Sequence, residues 1–123
     1  MKLSALRLYV HRLDRAHDFY GQRLGLPLKV DGRAYGWCVF SLGEVDLVVE
    51  AVPPEASEEE QALVGRHTGF SFAVADIQAQ QRELAARGVP FQTAPERQAW
   101  GGWLTTFEDP DGNELQLVQH PTP

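Results

Sequence analysis

Residues 1–52 and 67–123 read as two copies of one supersecondary unit, and this internal repeat limits the folds open to the chain more than any other feature. Val10 and Val74 stand 64 residues apart, as do Leu13 and Ile77. Gly25-Leu26-Pro27-Leu28 and Gly88-Val89-Pro90-Phe91 stand 63 apart, so the copies slip by one residue between their helices. Each copy opens on a strand of period two. Leu6, Leu8 and Val10 alternate with Ala5, Arg7 and Tyr9, and Phe70, Phe72 and Val74 alternate with Gly69, Ser71 and Ala73. Helical spacing follows. It runs from Asp14 to Leu24, with Ala16, Phe19, Tyr20 and Leu24 on one stripe, and from Ile77 to Arg87 behind Asp76 as N-cap. Asp14 either caps the first helix or lies in its first turn. Gly25 and Gly88 are natural helix stops. Three strand-like runs complete each copy. They are Leu26–Val30, Trp37–Leu42 and Val45–Val52 in the first, and Val89–Gln92 with a closing hairpin in the second. The pattern is βαβββ twice.

Residues 53–66 break it. Pro53, Pro54 and the run Glu58-Glu59-Glu60 mark an exposed connector, with a short helix expected through Glu58 to Val64. A chain of 123 residues fits one compact domain built from the two modules. Its formal charge of −6 argues against a nucleic-acid partner, which would want a basic face. No apolar run approaches the roughly 20 residues of a membrane span. No leader pattern is evident at the N-terminus, and the lone Cys38 excludes an internal disulfide, so a cytoplasmic protein is expected.

The closing hairpin reads WGGWLTTFEDPDGNELQLVQ, from Trp100 to Gln119. Trp103 to Phe107 suits a pleated surface, and Leu115 and Leu117 alternate with Glu114 and Gln116. Between them Asp109-Pro110-Asp111-Gly112-Asn113 has the chemistry of a tight turn. This turn, the strand and Phe-Tyr helix start from Val10 to Tyr20, the Leu24-Gly25-Leu26 stop and the Phe72-Ala73-Val74-Ala75-Asp76-Ile77 entry cover nearly the whole chain. Together they resemble the vicinal oxygen chelate superfamily, which includes glyoxalases, bleomycin-resistance proteins, fosfomycin-resistance enzymes and extradiol dioxygenases. The resemblance implies an α+β fold of tandem βαβββ modules, with two curved sheets around a cavity and the helices outside.

In each module the apolar strand face should meet the helix, which leaves the other face for the cavity. That puts Ala5, Arg7 and Tyr9 on the lining, with Gly69, Ser71 and Ala73, and with Glu114, Gln116 and Val118. Leu47 and Val49 match Leu115 and Leu117 at an offset of 68, which adds Asp46, Val48 and Glu50. The resemblance implies a divalent ion held by His and Glu at four such positions. Here those positions are Ala5, Val48 (or Asp46, if the hairpin shifts), Gly69 and Gln116. Ala, Val and Gly cannot ligate, whereas zinc or a catalytic iron needs about three or four protein ligands. A guanidinium 5 Å from the ion would repel each unit of its charge by roughly 3 kcal/mol at an effective dielectric near 20, and Arg7 stands two residues from Ala5.

His67 is the best histidine for another site, two residues before Gly69 on the same face; His11, His17 and His120 lie on separate elements. Asp46 and Glu50 are about 13 Å apart at strand rise, too far to share one proton. Cys38 sits in an apolar run, where most cysteines are inert. Ser71 has no evident base beside it. Tyr9, Trp37, Trp100 and Trp103 are either cavity walls or ordinary core residues. Arg7 in a strand needs a partner, and Asp46, Glu50 and Glu114 on the same lining could supply it.

The expected function is small-molecule binding of the bleomycin-resistance type. It would sequester a polar or cationic aromatic ligand without metal or other cofactor, in a homodimer that covers the open strand edges. The alternatives are a metal-dependent lyase, isomerase or dioxygenase of the same superfamily, and an accessory domain acting through a partner protein.

Overall fold

The computed structural model describes residues 1–122. The first half runs β1 (Ala5–Val10), α1 (Leu13–Asp18), β2 (Leu28–Gly32), β3 (Trp37–Ser41) and β4 (Asp46–Ala51). A short helix in the connector, α2 (Glu58–Gln61), leads to the second half: β5 (His67–Ala73), α3 (Ile77–Ala86), β6 (Glu96–Arg97), β7 (Trp103–Glu108) and β8 (Glu114–Gln119). Two four-stranded sheets result, in the orders β1-β4-β3-β2 and β5-β8-β7-β6. The first strand of each module lies parallel to its last, and the remaining pairs are antiparallel. The same connectivity twice is the tandem βαβββ architecture, with an α+β fold. Among the described residues no helix is long and apolar enough to cross a membrane.

Burial follows the strand alternation. Leu8, Val10, Phe40, Leu47 and Val49 of the first sheet are buried, as are Phe107, Leu115 and Leu117 of the second. These helix-facing sides merge into one core around α1 and α3, so the modules share their apolar interior. Asp76 caps α3 as its type suggests, its side chain accepting from the Ala79 amide at 3.1 Å. Asp14 lies in the first turn of α1 and makes no cap bond there.

Two local features depart from the simple pattern. After Asp18 the first helix widens into a π-helical turn, Phe19–Arg23, where the Leu24 amide bonds the Phe19 carbonyl at 2.9 Å. Both aromatic residues at its start are fully buried: Phe19 packs on Phe107 and Tyr20 on Phe40. The strand expected at Val89–Gln92 shrinks to a single bridge between Phe91 and Phe107. Pro90 has no amide to donate, and Pro95 interrupts the chain again before pairing resumes at β6.

The Asp109–Asn113 turn fastens the modules together. Asn113 is 1% exposed and uses all its hydrogen-bonding capacity. Its amide nitrogen donates to the Tyr9 carbonyl at 2.8 Å and to Asp109 at 2.9 Å, and its oxygen accepts from the Gly65 and Arg66 amides. Asp109 accepts from the Tyr20 hydroxyl at 2.7 Å and from the Asp111 and Asn113 amides. One turn thereby ties β1, the π-helical turn and the end of the connector to the second sheet.

Candidate functional site

The strand faces turned away from the helices are the candidate surface, and both stay half-exposed in the single chain. On the first sheet, Glu50 of β4 stands in register between Tyr9 of β1 and Trp37 of β3. Adjacent strands lie about 4.8 Å apart, so a carboxylate here is flanked by two aromatic side chains. Trp37 lies over Gly32, where an added Cβ would fall 2.6 Å from the indole, and stacks with exposed Tyr35 at 6.5 Å between centroids. Arg7 donates to Glu50, one of the partners expected, but its side chain is 49% exposed, so burial does not require the pair. Lys29 reaches Asp46 at 2.9 Å.

The matching face of the second sheet is polar and uncharged at its centre. The Ser71 hydroxyl bonds the Gln116 amide oxygen at 3.1 Å, on residues paired in register. Toward one end His67 approaches Glu114 at 3.4 Å, and Gln92 donates to Glu114 at 3.0 Å and to Glu108 at 3.3 Å. Between His67 and Ser71 the strand bulges, with Gly69 at φ +75°. Thr68 fills the interrupted ladder, its hydroxyl donating to the Glu114 carbonyl at 2.7 Å.

Arg7, Tyr9 and His67 come together in a crevice where β1 meets β5. Ser71 opens instead on a groove with Leu6, Leu26, Leu42, Phe70 and Phe72. Trp103 takes the helix-facing side of β7, beside Ala75–Gln78 and Gln119, and so lies apart from these residues. Trp100 is 51% exposed in the loop before β7, its ring tilted against His120 at 6.1 Å. Cys38 is fully buried on the core side, and burial raises its thiol pKa above the ordinary value. On the helix side of the first sheet, opposite the lining, the pKa of Asp31 is held at about 2 by its hydrogen bonds from Arg33.

The donor set does not fit the superfamily's metal. Ala5, Val48, Gly69 and Gln116 occupy the strand positions at issue, and three of those side chains have no ligating atom. Among the described residues no three His, Cys, Asp or Glu side chains converge on one point. The repulsion anticipated from Arg7 is a weaker argument than the sequence suggested, because Glu50 offsets that charge. Sequence reasoning missed Lys29, Arg66 and Gln92. Lys29 and Gln92 fall in strand-like runs and Arg66 in the connector, where no pattern marks what each meets.

The model of the Glyoxalase/Bleomycin resistance protein/Dioxygenase superfamily matches residues 2–117. The chain belongs to that superfamily. Its sequence is 30% identical over 127 aligned residues to the uncharacterized protein YurT of Bacillus subtilis (strain 168), covering 97% of this chain and 99% of that protein. Among solved structures, a superfamily member from Sphaerobacter thermophilus DSM 20745 superposes with a TM-score of 0.82 at 27% identity, over 98% of each chain. TnmS3, an antibiotic binding protein from Streptomyces sp. CB03234, superposes with a TM-score of 0.77 at 25% identity, over 99% of this chain and 97% of its own. A superfamily that spans lyases, dioxygenases and resistance proteins leaves the activity to the individual site, and here that site offers aromatic and hydrogen-bonding groups.

Proposed function

We propose that the protein binds a polar aromatic small molecule on the open faces of its two sheets, without a metal ion. One observation carries this reading: Glu50 sits between Tyr9 and Trp37 on a half-exposed sheet face, and the superfamily's metal positions are filled by Ala5, Val48, Gly69 and Gln116. Aromatic side chains supply a flat apolar contact with Arg7 beside them, and on the second sheet Ser71 and Gln116 supply further hydrogen-bonding groups. The carboxylates are paired, Glu50 with Arg7 and Asp46 with Lys29, and this favours the polar form of the expectation over the cationic one. The likeness to TnmS3 supports an antibiotic or similar metabolite as the ligand class.

A homodimer belongs to the same reading. Leu6, Leu26, Leu42, Phe70 and Phe72 are only partly buried and border a groove of about 710 Å³, and Leu28 and Val30 on β2 are 43% and 41% exposed. A second copy would cover this apolar surface and give each open face an opposite wall. Calorimetric titration with zinc, nickel, manganese and iron(II) tests the metal-free claim. No stoichiometric site is expected. One bound equivalent lost in the His67→Gln variant would move the enzymatic alternative ahead.

A further inference from the structure

We infer that the crevice between β1 and β5 is an anion subsite, and that the ligand carries a carboxylate or phosphate there. The inference rests on the reading of this surface as the ligand-binding one and adds the ligand's charge. The crevice holds about 190 Å³ and is lined by Arg7, Tyr9, Leu63, Arg66, His67 and Phe70, among others. Two guanidiniums, Arg7 and Arg66, dominate its polar groups, and these can only donate. The Arg66 side chain is exposed and makes no hydrogen bond or ion pair among the described residues, although its backbone is anchored by Asn113. Arg7 offers five N–H donors and spends one on Glu50. The Tyr9 hydroxyl has no partner among the described residues, and His67 engages Glu114 through Nδ1, so its Nε2 is a donor only in the imidazolium form.

The acceptors nearby are already used. Both functional ends of the Asn113 amide are committed to backbone groups and Asp109, and the Thr68 hydroxyl lies between the Glu114 carbonyl and the Phe70 amide. Glu50 offsets Arg7, and Glu114 faces His67, so Arg66 is the unbalanced charge in a chain of net charge −6. A donor-rich pocket with apolar walls and one unpaired guanidinium complements an oxyanion, because Arg binds carboxylate or phosphate through paired N–H groups.

The test uses five probes on the full chain: benzoate, phenyl phosphate, neutral benzamide, cationic benzamidine and inorganic phosphate. Binding is read from backbone amide shifts at residues 65–68 and the Asn113 side-chain amide. Benzoate or phenyl phosphate should bind roughly tenfold tighter than benzamide, and the stronger of the two identifies the anion. The preference should weaken with salt and be lost in Arg66→Gln, whose exposed side chain leaves the fold intact. Equal binding of benzamide or benzamidine, or an Arg66→Gln variant that holds benzoate unchanged, would overturn the inference. Shifts with inorganic phosphate that persist in Arg66→Gln would mean an adventitious ion only, and would also overturn it. Trp37→Ala separates this from the broader reading. If it weakens aromatic binding while the charge series is flat, the subsite fails and the ligand face stands; if it changes nothing while Arg66→Gln abolishes benzoate binding, the reverse holds.

Discussion

Asn113 and Asp109 show how much one pair of polar residues can hold. Asn113 joins the Tyr9 carbonyl, the Gly65 and Arg66 amides and Asp109 at a site that is 1% exposed. Asn113→Ala strands several buried groups at once and should cost about 3 kcal/mol or more in urea unfolding. Burial raises the Asp109 pKa above 3.8, outweighing the hydrogen bonds from Asn113 and Tyr20 that favour its ionised form. A carboxyl with a higher pKa folded than unfolded binds more protons when folded, so its contribution to stability falls as pH rises through the folded pKa. The stability of the wild type relative to Asp109→Asn should therefore shrink as pH is raised from about 4 to about 7, read from urea midpoints. The turn itself was legible, since Asp-Pro-Asp-Gly-Asn has turn chemistry in any context. Its long-range role was not, because Tyr20 and Tyr9 stand 89 and 104 residues away from their partners Asp109 and Asn113.

At the scale of elements, periodicity carried most of the reading and failed where the backbone departs from a regular period. The alternation in β1, β4, β5 and β8 assigned faces that the burial pattern repeats, except at Val118, which was expected on the open lining and is buried at 7% exposure. The π-helical turn Phe19–Arg23 left no such trace, since an inserted residue still leaves Phe19 and Tyr20 on the apolar stripe. The strand expected at Val89–Gln92 is reduced to one bridge, because Pro90 and Pro95 interrupt a run that strand-like spacing alone marks as continuous. The bulge in β5 is the element nearest the candidate site. Gly69 adopts φ +75°, and an added Cβ would meet nothing within 4 Å. The cost of Gly69→Ala is then conformational alone, about 1–2 kcal/mol, measurable as a lower urea midpoint with an unchanged slope. An unaltered midpoint would show that the bulge is not rigid.

At the scale of the molecule, the repeat determines the topology, two sheets of the same strand order. The two modules share one core through their helix faces, which leaves both polar sheet faces and an apolar groove open to solvent. Sedimentation at micromolar concentration should give a dimer, with Phe72→Glu in the groove shifting it toward monomer; a wild-type monomer would require each face to bind ligand alone. The ligand-binding surface was legible only as a set of faces. Which carboxylate Arg7 would take, and that Lys29 would take another, depended on register and on a bulge near Leu28. The central claim is that the protein holds a polar aromatic small molecule without a metal. The most direct measurement is the melting temperature against a library of such compounds, run in chelator and again with divalent ions. A ligand at a hundredfold excess over Kd should raise it by roughly 10 °C in chelator, with no further rise on adding the ion. Stabilisation that appears only with zinc, nickel, manganese or iron would contradict the account.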